Sequence, residues 1–75
     1  MVTVLRKHGM RFVIYTADHE PPHVHIYGDG EARIDLVTLK VMTQGRLSDR
    51  DVRKAVEEIR TQQALFLAIW RQYHG

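Results

Sequence analysis

Apolar and polar side chains alternate in two short stretches of the chain and recur at helical spacing in a third. Between His23 and Tyr27, Val24 and Ile26 point to one side while His23, His25 and Tyr27 point to the other, the period-two pattern of a half-buried strand. Ala32, Ile34 and Leu36 repeat the pattern against Glu31, Arg33 and Asp35. For both apolar sets to share one face, the strands must pair His23 with Asp35, His25 with Arg33 and Tyr27 with Glu31. That pairing leaves the three-residue loop Gly28-Asp29-Gly30, with Gly30 expected in the left-handed region. A two-residue Asp29-Gly30 turn would instead set His25 opposite Ile34 and mix the faces.

Val2-Thr3-Val4-Leu5 and Met10 to Tyr15 are rich in β-formers, and Gly9 between them can take the positive φ of a turn. Thr16 to Pro22 is a loop, because each residue before a proline is pushed out of the helical region and Asp18 favours turns. A turn near Thr38-Leu39 leads to one more short strand. Ser48 is a good N-cap, with Asp49 and Asp51 where the helix dipole favours negative charge, and no glycine or proline interrupts the chain from there to Tyr73. Val52, Ala55, Val56, Ile59, Phe66, Trp70 and Tyr73 form an apolar stripe with Gln63 as a polar gap, and a bend near Thr61-Gln62-Gln63 is one way to accommodate it. Leu65 and Ile69 lie off that stripe.

The expected fold class is α+β. A small, mainly antiparallel sheet of about four strands, drawn from segments at about 2–5, 10–15, 23–27, 31–36 and 40–43, carries a C-terminal helix, or two abutting helices, over about 49–73. The helical region packs on the apolar face, with Phe12, Ile14, Val24, Ile26, Ile34, Leu36, Val52, Val56, Ile59, Phe66 and Trp70 as core.

A chain of 75 residues has room for one domain and one core, close to the size at which burial only just outweighs conformational entropy. It has no cysteine, hence no disulfide and no thiolate ligand, and self-association is a reasonable route to further burial. The run Ala64 to Trp70 is too short to cross a bilayer, and the first basic residues are followed by no leader-like apolar segment. The expectation is a cytoplasmic protein with no membrane partner. The formal charge of +2 is unevenly spread: residues 1–37 hold four basic and five acidic side chains, residues 38–75 seven and four. A solvated helix face accounts for this, and a phosphate-binding strip is the sharper alternative.

Candidate chemistry gathers in Asp18-His19-Glu20-Pro21-Pro22-His23-Val24-His25, which holds three of the five histidines. His23 and His25 share a strand face at a spacing that suits two ligands of one ion such as zinc. The remaining ligand would come from His19, Asp18 or Asp35. Without a metal, Asp35 beside His23 and Arg33 beside His25 form a kit for proton transfer and anion stabilisation, with His19 and Tyr27 as substrate-binding groups. A third reading makes the histidines structural, capping loop backbone or standing solvated. His8 and His74, in a turn and near the terminus, are incidental under all three. Leu65, Ile69 and Trp70 are the candidate partner interface.

In Gly9, in His19-x-Pro21-Pro22-His23-x-His25, in Glu31-Ala32 and in a helical region ending near Trp70, the chain resembles a bacterial family known as domain of unknown function 4160. The resemblance implies one half of a two-gene module, a toxin-like component paired with a small cognate protein. The leading expectation is accordingly a toxin-like protein of a toxin–antitoxin system, acting on RNA or translation through His23, His25, Asp35 and Arg33 and requiring no cofactor. The alternatives are a non-enzymatic, antitoxin-like binding module and a divalent-metal protein holding its ion on His23, His25 and His19.

Overall fold

A computed structural model describes residues 1–74. Five strands, β1 (Val2–Lys7), β2 (Met10–Ile14), β3 (His23–Tyr27), β4 (Glu31–Asp35) and β5 (Val41–Gln44), form one antiparallel sheet in the order β1-β2-β3-β4-β5, followed by α1 (Asp49–Thr61) and α2 (Gln63–His74). The fold is α+β with five strands rather than about four, because Val41–Gln44 pairs with β4 across a bulge between Arg33 and Ile34 and extends the sheet by one edge. None of the helices is long and apolar enough to cross a membrane among the described residues.

The alternation of apolar residues sets the central register as expected: His23 faces Asp35, His25 faces Arg33 and Tyr27 faces Glu31. On the other side of β3, Arg11 faces Tyr27 and Val13 faces His25. The first hairpin is tighter than the pattern suggested. His8 and Gly9 both take positive φ (58° and 72°), so β1 runs on to Lys7 and the turn has only two central residues. Lys7 and His8 then reach Glu58 of α1 at 3.2 and 3.4 Å, tying the hairpin to the helix. Hydrogen bonds from Gln62 first and then Lys7 hold the Glu58 carboxyl below the usual carboxylate range.

Gly30 carries no positive φ, and the expected left-handed residue is absent from the β3–β4 loop. Its requirement for glycine is steric, since a Cβ there would lie 2.3 Å from the carbonyl carbon of Arg46 and 2.4 Å from the nitrogen of Leu47.

Both helices cover the apolar sheet face. Phe12, Ile14, Val24, Ile26, Ala32, Ile34 and Leu36 meet Val52, Ala55, Ile59, Phe66 and Trp70 in one core, with the Phe12 and Phe66 rings 6.0 Å apart. Ser48 caps α1 by accepting from Asp51 N–H at 3.1 Å. The helical region breaks at Gln62 (φ −123°), where the polar trio finds specific partners. Thr61 Oγ1 donates to the Glu58 carbonyl, Gln62 donates to Glu58 Oε2, and Gln63 donates to the carbonyls of Leu36 and Val37 in the β4–β5 turn. The polar gap at Gln63 is thus a tether from helix to sheet. Tyr73, placed in the apolar stripe by its spacing, is exposed, while Phe66 and Trp70 of the same stripe are buried.

Candidate functional site

Strand alternation lines the opposite sheet face with Arg6, Arg11, Val13, Tyr27, His25, Glu31 and Arg33, and α2 reaches it only where Trp70 meets His23 among the described residues. The loop after β2 folds back onto this face through a bond from Asp18 N–H to the Tyr15 carbonyl, and the Glu20–Pro21 peptide within it is cis. The result brings one carboxylate oxygen to both histidines. Asp18 Oδ2 lies 3.0 Å from His23 Nε2 and 2.9 Å from His25 Nε2. The second nitrogen of His23, Nδ1, donates to the Pro21 carbonyl at 2.8 Å, because a carbonyl oxygen can only accept.

His23 is buried, with its ring 5.3 Å from that of Trp70, whereas His25 is half-buried with Tyr15 edge-on at 4.6 Å. Tyr15 and Tyr27 share a hydrogen bond of 2.7 Å between their hydroxyls. That bond, together with burial, pushes the Tyr27 pKa up to about 12, so its phenol stays protonated at neutral pH and serves as a hydrogen-bonding group rather than a base. Tyr15, Asp18, His25, Tyr27, Glu31 and Arg33 line an open hollow of about 650 Å³. Arg33 Nε donates to Thr43 Oγ1 at its rim.

The structure therefore brings together His23, His25, Arg33 and Tyr27, and leaves two residues that the sequence had grouped with the site without a bond to it. Asp35 sits opposite His23 in register, but its Oδ1 accepts from the N–H groups of Val37 and Thr38 at 2.7 and 2.8 Å and makes no hydrogen bond to the imidazole. A turn-forming carboxylate two and three residues from those N–H groups is drawn to its own backbone. His19 is exposed and makes no hydrogen bond or ion pair among the described residues; the loop presents Asp18 to the strand instead. Asp18 is thus the third member of the cluster in place of His19. Trp70 is 1% exposed and stacks on His74 at 3.6 Å, so it belongs to the core and leaves only exposed Leu65 and half-buried Ile69 of the expected interface. Tyr15 and Arg11 were missed, although Arg11 could have been found by extending the alternation of β2 across to Tyr27, over whose ring its guanidinium lies at 5.3 Å.

Asp35 has a pH consequence for the fold rather than for the site. Burial raises its pKa, but the N–H bonds from Thr38 and Val37 outweigh that and leave it below the ordinary value of 3.8. A lowered folded pKa gives stability that is complete above the ordinary range and is lost as pH falls through the folded value. Asp35→Asn should melt below the wild type at neutral pH, and the gap should close as the pH drops from about 5 towards 2. Circular-dichroism melts across that range check this, and a gap that stays constant with pH would show that the ionised carboxylate does not hold the turn.

A family model described as domain of unknown function (DUF4160) matches residues 9–71, a span that includes Asp18, both strand histidines and Trp70. Comparisons with curated proteins and with solved structures found no match.

Proposed function

Since the chain belongs to the domain of unknown function 4160 family, we propose that it is the toxin-like component of a bacterial toxin–antitoxin module, acting on RNA in the cytoplasm through the sheet face opposite the core. The observation that carries this reading is the charge state of that face. Asp18 is engaged with two imidazoles and Asp35 with two backbone N–H groups, which leaves Glu31 as the free carboxylate of the hollow, while Arg6, Arg11 and Arg33 have no carboxylate partner among the described residues. Arg33 lines the hollow with two tyrosines and a histidine, Arg6 and Arg11 line a second hollow on the far side of Tyr27, and the two together suit a single-stranded phosphate chain with bases to stack or hydrogen-bond. The module would pair this chain with a small protein, and Leu65 and Ile69 on α2 offer the contact. The non-enzymatic binding reading is weaker because Trp70, its largest anchor, is buried.

If all three arginines meet phosphates, the affinity for a short single-stranded RNA falls with salt at a log–log slope of about −2, and Arg11→Ala or Arg33→Ala each reduces that slope by about 0.7. The same variants relieve the growth arrest that the wild type causes on expression. Affinity indifferent to salt, or arrest unchanged in both variants, would remove the RNA reading.

A further inference from the structure

We infer that Asp18, His23 and His25 form a binding site for one divalent first-row transition ion. The argument begins with proton bookkeeping. Because His23 Nδ1 must carry a hydrogen for the Pro21 carbonyl, the Nε2 of a neutral ring holds a lone pair, yet it points at an Asp18 oxygen that also only accepts. Two acceptors 3.0 Å apart in a largely buried setting repel unless something positive lies between them or the ring takes a second proton. His25 Nε2 approaches the same oxygen at 2.9 Å, so any cation placed there meets three donors at once.

Two of the three ligand separations, both to Asp18, have the length found around a metal ion. The three ligand atoms all lie within 4.8 Å of one another. Neighbouring ligands at about 2.1 Å from an octahedral ion stand about 3.0 Å apart, and those of a tetrahedral zinc about 3.4 Å. The observed 2.9 and 3.0 Å match the first arrangement and lie a few tenths of an ångström inside the second. Two imidazoles and one carboxylate on one side of an ion are the two-histidine, one-carboxylate set that leaves further positions open. The bond from His23 Nδ1–H to a backbone carbonyl is the outer-shell contact that typically orients a metal-bound imidazole, and the Trp70 ring restrains the same side chain. Asp18 and His25 line the hollow, so the side of the cluster away from His23 faces the space a substrate would enter. An ion there would supply Lewis-acid chemistry to the proposed RNA site, and only this last step rests on that reading.

The experiment titrates untagged, chelator-stripped protein with Zn²⁺ in a calorimeter and with Co²⁺ in a spectrophotometer, in the absence of RNA. One ion per chain and a visible Co²⁺ band are expected. Asp18→Ala and His25→Ala should each lose about 100-fold or more in Zn²⁺ affinity, while His8→Ala and His74→Ala bind as the wild type does. His23→Ala can unfold because its ring is packed on Trp70, so the Asp18 and His25 variants carry the test once melting curves show them folded. No heat with the wild type, or unchanged affinity in both folded variants, overturns the site and leaves ring protons as what lies between the three atoms. Tight Zn²⁺ binding alongside salt-independent RNA affinity would sink the RNA reading and leave the metal site standing.

Discussion

Gly30→Ala should lower the stability of this protein by about 3 kcal/mol or more, at the upper end of what overpacking costs. The added methyl would sit 2.3, 2.4 and 2.7 Å from three backbone atoms of Arg46 and Leu47, and backbone cannot rotate aside as a side chain can. The displaced segment matters for two further reasons. Leu47 is 2% exposed and part of the core, and Ser48 immediately after it caps α1. Pushing residues 46–47 outward therefore strains the cap and unseats a core side chain together. A chain of this length has about 4–11 kcal/mol in all, and each kcal/mol moves the midpoint of so small a domain by about 4–8 °C. A fall in melting temperature of at least about 12 °C is expected. Gly28→Ala supplies the comparison, because its methyl would meet side-chain atoms of Met10 and Leu47 at 3.1 and 3.4 Å and the Gly9 carbonyl oxygen only at an ordinary 3.6 Å. Equal, small shifts in the two variants would show that the strand β5 end does not cross the β3–β4 loop as described.

The contrast between these glycines marks the boundary of what the sequence conveys. Alternation between Val24 and Ile26, and between Ala32 and Ile34, was enough to set the register, because a slip by one residue would turn every apolar side chain to the wrong face. The same alternation placed His25 beside Arg33 and Tyr27 beside Glu31 without any structural information. The role of Gly30 was not legible, since the atoms that exclude a Cβ belong to residues 16 and 17 positions further along the chain. Asp18 was obscured for a related reason. The segment from Thr16 to Pro22 has no periodicity, so which of Asp18 and His19 turns towards the strand depends on the path of the loop. His19 had composition in its favour; Asp18 had the geometry.

The asymmetry between His23 and His25 also lay beyond alternation. Both belong to one face by spacing, but His23 stands at the start of β3, where the end of α2 reaches its ring with Trp70. One histidine is thereby held by the core and the other faces the hollow, and Asp18 joins them. A site built half from packed core and half from loop ties its geometry to the fold's stability.

Trp70→Ala should cost about 3–5 kcal/mol, the range for truncating a large buried aromatic, and so take at least about a quarter of the stability of a domain this small. Trp70 is 1% exposed and is the sole tryptophan, with His23 on one side, His74 stacked on it and Nε1–H directed at Glu20 Oε1 at 3.5 Å. Collapse of its neighbours into the space left by the indole would draw His23 away from Asp18. Because the variant lacks its fluorophore, unfolding in denaturant is followed by circular dichroism. Trp70→Phe, which keeps a ring against His23, should retain most of the loss as stability. Leu65→Ala, at 47% exposure five residues earlier on the same helix, should stay within about 0.5 kcal/mol of the wild type. If Leu65→Ala were instead as damaging as Trp70→Ala, α2 would present its other face to the sheet, and the wall behind His23 would have to be something other than Trp70.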